Sequence, residues 1–446
     1  MNGEPYYEIS FNKFDLCYQL AAYYNNDTSY PTEEFRYQAA ESALKQLNEL
    51  GFKSIRVFCT NSLKEDILYS AEAKEKYFEV MDTMYDLCDK YDIKVVASLG
   101  LIDSMFLNKK YVENVGWVND QESIYNLIVN EDSIARQNLY KFLEEYISRY
   151  KDRKTILMWE ILNEGNLEAD VGPTVRKVKY SLLQLSEFYK DVTDKIHSID
   201  PNRLVTGGDS ITRPAQWNLF QSTMEGTGIN DWTVDTKEER LKALYLLHRG
   251  VDVISTHTYN IGAEYGFDTY YRDENGEIVP FGFEYLLEEA KILGKVLYNG
   301  ETAGSVGATQ DMDSSDPKYM EGRIKYLDLI VDSGVQLTHW WTFRSDRQGF
   351  NDGDTWRNDK GPFLDAIVKA NKELQERYKV NKAKDANTQE AWEDEYFLVI
   401  DENKVVSGQK MDLKDNKSIY PFIIPLGVIL IVAGTTYILM KKRKTR

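Results

Sequence analysis

Two glutamates in this chain close two apolar runs. Glu164 follows Asn163 at the end of the run 155–162, and Glu301 closes the run 296–300. Runs this short and apolar read as buried strands, so each carboxylate emerges where a buried strand stops. Two carboxyl groups delivered in this way can break an acetal linkage. One protonates the departing oxygen while the other attacks, or stabilises, the carbon left behind. A third carboxylate, Glu160, lies on the same strand as Glu164, four residues earlier, and reads as a buried supporting residue.

Such groups must be positioned by a scaffold, and the rest of the chain supplies one. Short β-branched runs alternate with long amphipathic ones. Strands are expected at 14–18, 54–58, 94–99, 156–161, 204–206, 251–256, 295–298 and 335–341. Helices are expected at 33–50, 71–91, 133–150, 175–198, 237–248, 284–293, 319–332 and 362–378. Several helices stop before Gly51, Pro201, Gly250, Gly294 or Gly334, residues that end helices. Eight strands, each followed by a helix, is the count of a closed (β/α)8 TIM barrel. An open doubly wound sheet is disfavoured, because no G-x-G-x-x-G follows a strand.

A barrel gathers the C-terminal ends of its strands at one mouth, where chemistry takes place. Arg56 lies in the second expected strand. Asn163 and Glu164 follow the fourth, His257 and Tyr259 the sixth and Glu301 the seventh, while Trp340 and Trp341 close the eighth. Singly, a strand Arg reads as a structural ion pair and a lone His as a core residue; together they form a set. Asp209, in Gly207-Gly-Asp-Ser210, reads as a turn residue ahead of one that touches substrate. The longest connections, 100–132, 207–236 and 259–283, would form a cleft rim carrying Trp117, Trp217 and Trp232. Those rings are candidates for stacking on sugars.

On these residues the chain resembles the family 5 glycoside hydrolases and their relatives in the same clan of retaining (β/α)8 enzymes. The matching stretches are Ile55-Arg-Val-Phe58, Trp159-Glu-Ile-Leu-Asn-Glu164, Ser255-Thr-His-Thr-Tyr259, Tyr298-Asn-Gly-Glu-Thr302 and Thr338-His-Trp-Trp-Thr342. The resemblance implies that Glu164 is the acid/base and Glu301 the nucleophile. It also implies that Asn163 holds the sugar 2-hydroxyl, Arg56 and Tyr259 orient the nucleophile, and His257 supports the acid/base. A Trp at the end of the eighth strand would floor the cleaved subsite; Trp340 and Trp341 compete for that place, and spacing from Gly334 favours Trp340. One position departs from the family pattern: the third strand, Val95 to Leu99, ends without a His. This keeps mannan beside glucan as the substrate.

Composition narrows the partners. The formal net charge is -18, and five of the positive charges fall within the last six residues. So acidic a body excludes nucleic acid as a natural ligand. Four His and no H-E-x-x-H run give no basis for a metal ion, and no cofactor is expected. Cys17, Cys59 and Cys88 read as reduced and buried, with Cys17 and Cys59 as candidate neighbours.

The ends of the chain suggest a membrane protein. Residues 418–440 are almost continuously apolar, long enough for a spanning helix, and the basic cluster 441–446 that follows marks a cytoplasmic tail. Residues 381–417 read as a polar stalk, with a short hairpin at 396–406. The first residues show no basic-then-apolar export segment, so a signal peptide is expected to be missing from this form of the sequence. The expectation is a catalytic barrel over 1–380, outside the cell and anchored at the cell membrane. It would cleave β-linked oligo- or polysaccharides of mannan or glucan type by double displacement, as an endo-β-1,4-mannanase or a cellulase-like β-glucanase. The alternatives are an inactive glycan-binding barrel, or an exo-acting glycosidase or transglycosylase of the same clan.

Overall fold

A computed structural model describes residues 6–21, 33–60, 70–100, 109–112, 116–119, 121–171, 180–226, 229–259, 269–306, 316–344, 358–379, 399–401 and 437–439. In chain order the elements are β1 (Glu8–Asn12), α1 (Leu16–Ala21), α2 (Glu33–Glu49), β2 (Ser54–Phe58), α3 (Ala71–Lys90), β3 (Lys94–Ser98), β4 (Lys109–Val112), β5 (Gly116–Asn119), α4 (Gln121–Val129), α5 (Ile134–Tyr150), β6 (Ile156–Glu160), α6 (Leu182–Ile199), β7 (Val205–Thr206), α7 (Gln216–Met224), α8 (Lys237–His248), β8 (Val253–His257), β9 (Tyr270–Arg272), β10 (Ile278–Pro280), α9 (Phe283–Ile292), β11 (Val296–Thr302), α10 (Pro317–Ser333), β12 (Leu337–Trp340) and α11 (Pro362–Lys379). Eight parallel strands close a barrel in the order β1-β2-β3-β6-β7-β8-β11-β12, and β12 returns to β1. This is the expected (β/α)8 architecture. The excursions β4-β5, α7 and β9-β10 all lie in connections that follow strand ends, on the side of the mouth.

The first strand is not where apolar runs placed it. Residues 14–18 were expected to form it, but the strand is Glu8–Asn12, and α1 takes Leu16 onward. The reason is the polarity of the barrel interior. Ile9 and Phe11 face the outer helices, with Phe11 against Phe52 and Phe343. Glu8, Ser10 and Asn12 face inward and are fully buried. There they are satisfied by partners: Ser54 and Tyr6 donate to Glu8, while His339 bridges Ser54 Oγ (3.0 Å) and Tyr298 Oη (2.8 Å). Because the Ser54 hydroxyl is spent on Glu8, it accepts from His339 Nε2, and Nδ1 accepts from Tyr298. Burial, then the nearby Arg56 charge, pushes His339 down to about 3, so the ring stays neutral in this chain of bonds.

The helices start where their caps dictate. A Ser181–Gln184 capping box opens α6, short of the expected residue 175, and a Thr236–Glu239 box opens α8. Each box satisfies two backbone N–H groups that the first turn leaves free. Gly334 ends α10 in the left-handed region, at φ 77°, where a side chain would be strained.

All three cysteines are free and buried. Burial, and next the neighbouring Cys59 thiol, pushes Cys17 well up. Asp209, expected in a turn, is instead a core residue. It lies fully buried between the barrel and its outer helices, where Tyr189 Oη donates to Oδ1 at 2.7 Å and His248 Nε2 stands 3.5 Å from Oδ2. His248 Nδ1 donates to the Leu244 carbonyl, and burial pushes this ring down to about 3. Its bare Nε2 thus suits a protonated Asp209, whose carboxyl burial pushes up to about 7. A carboxyl raised above its unfolded value of about 4 contributes stability that is complete below that value and is lost as pH rises through 7. Asp209→Asn is therefore expected to gain on wild type as pH rises from 5 to 8. Thermal midpoints measured across that range check this, and a constant difference contradicts it.

Among the described residues no helix is long and apolar enough to cross a membrane. Of the stretch 418–440, expected to be a spanning helix, Tyr437–Leu439 is instead a strand, β14, paired antiparallel with Val399–Asp401, β13. Its aromatic and β-branched residues favour extended backbone. The hairpin expected at 396–406 is replaced, for its first arm, by this pairing. The rest of the stretch, the tail 441–446 and most of the stalk lie outside the described residues.

Candidate active site

Seven of the eight singled-out residues converge at the mouth, all but Trp340, and Arg56 is the hub of the polar six. Its side chain is fully buried in β2, and all five of its N–H donors are used. Nε bonds Glu160 (2.9 Å to Oε2). Nη2 bonds Glu160 Oε1 (2.6 Å) and Asn163 Oδ1 (2.7 Å), while Nη1 bonds Asn12 Oδ1 (3.1 Å) and Glu301 Oε1 (2.6 Å). A guanidinium has five donors in a rigid fork, so its plane fixes where each partner sits. Burial opposes the charge on Arg56, but Glu160 and then Glu301 outweigh it and hold the guanidinium above its ordinary pKa. Since Arg56 takes the oxygen of the Asn163 amide, the NH2 end is left to face a ligand.

The second oxygen of Glu301 accepts from Tyr259 Oη at 2.6 Å. Burial, then the Glu301 charge, holds that phenol well above its ordinary value, so Tyr259 remains a donor. Glu164 Oε1 lies 3.0 Å from His257 Nδ1, and the same nitrogen is 3.8 Å from Glu301 Oε2. Oxygens of the two carboxylates come within 4.8 Å of each other. This fits the ~5–5.5 Å spacing of retaining glycosidases and is far below the ~6.5–9.5 Å that leaves room for an inverting water.

Local backbone features aim these groups. Glu164 has φ 54° and ψ 39°, a left-handed conformation that non-glycine residues adopt at a cost of about 1–3 kcal/mol. Its N–H donates to Gly208 O at 2.8 Å. Gly208 must be glycine: with φ +82°, an added Cβ would stand 1.8 Å from Leu162 O and 2.7 Å from Glu160 Cγ. On the other strand, the register of β11 against β8 slips between Asn299 and Glu301. Such a bulge re-aims a side chain, and here it turns Glu301 into the mouth. A Cβ on Gly300 would come within 2.9 Å of His257 Nε2. Neither glycine was singled out from sequence, because close approach between distant segments leaves no local signal.

The tryptophans divide differently from expectation. Trp340 was favoured for the floor, but it is fully buried and faces outward, against Phe363 and Tyr326. In a strand, neighbours point to opposite sides. The inward residues of β12 are Leu337 and His339, so Trp341 is the one that turns toward the mouth. It stacks on Phe14 (4.6 Å, 17°) and lies 6.2 Å from Phe58, over whose ring Arg56 sits. Phe14 and Phe58 were missed as site residues. Among the rim candidates, Trp217 is buried, while Trp232 is 57% exposed; the side chain of Trp117 lies outside the described residues.

Glu164, His257 and Glu301 also form a group that could hold a metal ion, their ligand atoms lying within 4.8 Å of one another. Arg56 and Tyr259 already occupy both oxygens of Glu301, and the guanidinium would repel a cation. The trio is better suited to handling a proton beside a fixed carboxylate.

A family model described as cellulase, glycosyl hydrolase family 5, matches residues 18–345. In fold the chain is similar to the endo-beta-1,4-mannanase of Thermotoga petrophila, with a TM-score of 0.51 at 18% identity over 90% of this chain and 81% of that one. It is similar to the endo-1,4-beta-mannanase of Rhizomucor miehei, with a TM-score of 0.53 at 14% identity over 84% and 97%. The family 5 mannosidase of the same organism gives 0.53 at 15% identity over 85% and 95%. No curated protein matches the chain.

Proposed function

Since this chain belongs to glycosyl hydrolase family 5, we propose that it is a retaining glycosidase acting on a β-linked glycan, with Glu301 as nucleophile and Glu164 as acid/base. The observation that carries this reading is that oxygens of the two carboxylates lie within 4.8 Å of each other, with Arg56 and Tyr259 on one and His257 on the other. In the first step Glu301 attacks the anomeric carbon. The bond to the leaving oxygen breaks, and that oxygen takes its proton from Glu164. In the second step Glu164, now a carboxylate, takes a proton from water, the water oxygen attacks the same carbon, and the ester to Glu301 breaks. Two inversions return the original configuration. Asn163 offers its NH2 end to the sugar 2-hydroxyl, and Trp341 with Phe14 supplies an aromatic floor.

For the substrate we favour a β-1,4-mannan over a β-glucan. The fold neighbours described as mannanases and the absence of a His at the end of β3 support that order. Incubation with mannohexaose and with cellohexaose, with products read early by proton NMR, tests both parts. The reading requires the β-anomer of the new reducing end to appear first. Initial release of the α-anomer would sink the mechanism, and turnover of cellohexaose alone would sink the substrate. A ladder of products marks endo action, and a single small sugar marks exo action.

Attachment to a membrane, with the barrel outside the cell, is a separate part of the proposal. It is supported by the apolar stretch 418–440 and the basic cluster after it. Recovery of the full chain in the soluble fraction of its native cells would remove this part.

A further inference from the structure

We infer that Glu160 is a positioning residue for the reaction, dividing the charge of Arg56 so that Glu301 stays reactive. This rests on the assignment of Glu301 as nucleophile. The side chain of Glu160 is 0% exposed, against 6% for Glu301 and 23% for Glu164. It therefore does not reach a sugar. Gly208 closes over it, leaving no room even for a methyl group beside its carboxyl. Within that enclosure it takes Nε and one Nη2 hydrogen of Arg56, while Glu301 receives one Nη1 hydrogen.

The division matters because one cation faces two carboxylates. A guanidinium facing Glu301 alone would form a two-bond fork and bind it as a full counter-ion. That arrangement would lower the electron density available for attack and favour the ionised ground state over the ester. Glu160 removes the fork by geometry and offsets part of the charge by competition. It also locks the plane that hands Asn163 its orientation. The groups facing this pair are Arg56 from β2, Glu164 after β6, Tyr189 from α6, Asp209 after β7, His257 from β8 and Tyr259 just beyond it, Tyr298 from β11 and His339 from β12. Arg56 carries a full positive charge among them, so loss of the negative charge at Glu160 makes the surroundings of Glu301 more positive.

The test is Glu160→Gln in the full chain, with kcat/KM against pH on mannohexaose or whichever hexaose is turned over. The expected result is a fall of about 10²-fold, with the acidic limb displaced to lower pH by about one unit. A merely structural loss would lower the amount of active protein and leave the limb in place. Wild-type activity, or an undisplaced limb, overturns the inference. Glu160→Asp keeps the charge but shortens the reach, so its limb should stay at the wild-type position while kcat falls. A displaced limb or a normal kcat there also overturns it, and this comparison stands if the Gln variant does not fold. Failure here with Glu301 still trapped by a mechanism-based sugar removes only the role of Glu160. Failure to trap Glu301 removes the catalytic assignment beneath it.

Discussion

Glu301→Ala is expected to fold as wild type does and to lose turnover by on the order of 10⁴-fold or more, the scale seen when a covalent nucleophile is removed. The fold should survive because the variant leaves Arg56 paired with Glu160, Asn12 and Asn163, so no buried charge is stranded. Turnover should not survive, because no other carboxylate among the described residues is placed to attack. Glu160 is fully enclosed, and Glu164 lies on the side of the leaving group. The space left by the carboxylate, lined by Arg56 and Tyr259, suits a small anion. Added azide should attack from the face that Glu301 used and give the α-glycosyl azide from a β-glycoside. Activity within tenfold of wild type, or a β-azide product, would remove Glu301 from the nucleophile's role.

Glu164→Ala should fail in a different pattern. General acid–base assistance contributes about 10²–10⁴-fold, and the first step needs it only when the leaving oxygen is basic. Loss on an oligosaccharide should therefore be about 10³-fold or more, while an aryl glycoside with an acidic phenol should still glycosylate Glu301 and then stall, giving a burst. Azide needs no base, so it should release the stalled intermediate as the β-glycosyl azide. The pH dependence should change as well. Wild type requires a proton on Glu164 for the first step and loses activity as pH rises through its ionisation; the variant should lack that alkaline limb in the first step. Equal losses on both kinds of substrate would place the proton donor elsewhere.

The parts of this site legible in sequence are those at the ends of apolar runs. Glu164, Glu301, Arg56, Asn163, His257 and Tyr259 all flank or interrupt such runs, and the alternation of strands and helices sufficed to bring them to one mouth. The first strand was illegible because its inward residues, Glu8, Ser10 and Asn12, are polar in a barrel whose interior is held by hydrogen bonds. The choice between Trp340 and Trp341 turned on strand parity, which a four-residue strand after a turn does not reveal. Trp217, on α7, looked like a rim residue and is core, because the long connection that carries it packs its own helix. Gly208 and Gly300 owe their roles to contacts with Leu162, Glu160 and His257, remote in sequence from one or both. Aromatic Phe14 and Phe58 were visible only as strand residues until their rings were seen beside Trp341.

The central claim, that Glu301 becomes bonded to the sugar, has a direct test. Wild-type protein treated with a 2-deoxy-2-fluoro-β-mannosyl or glucosyl fluoride, then digested and analysed by mass spectrometry, should carry one fluorosugar on the peptide containing Glu301, with activity lost in step. A fluorosugar attached to Glu160 or Glu164, or fluoride released steadily with no labelled peptide, would contradict the account.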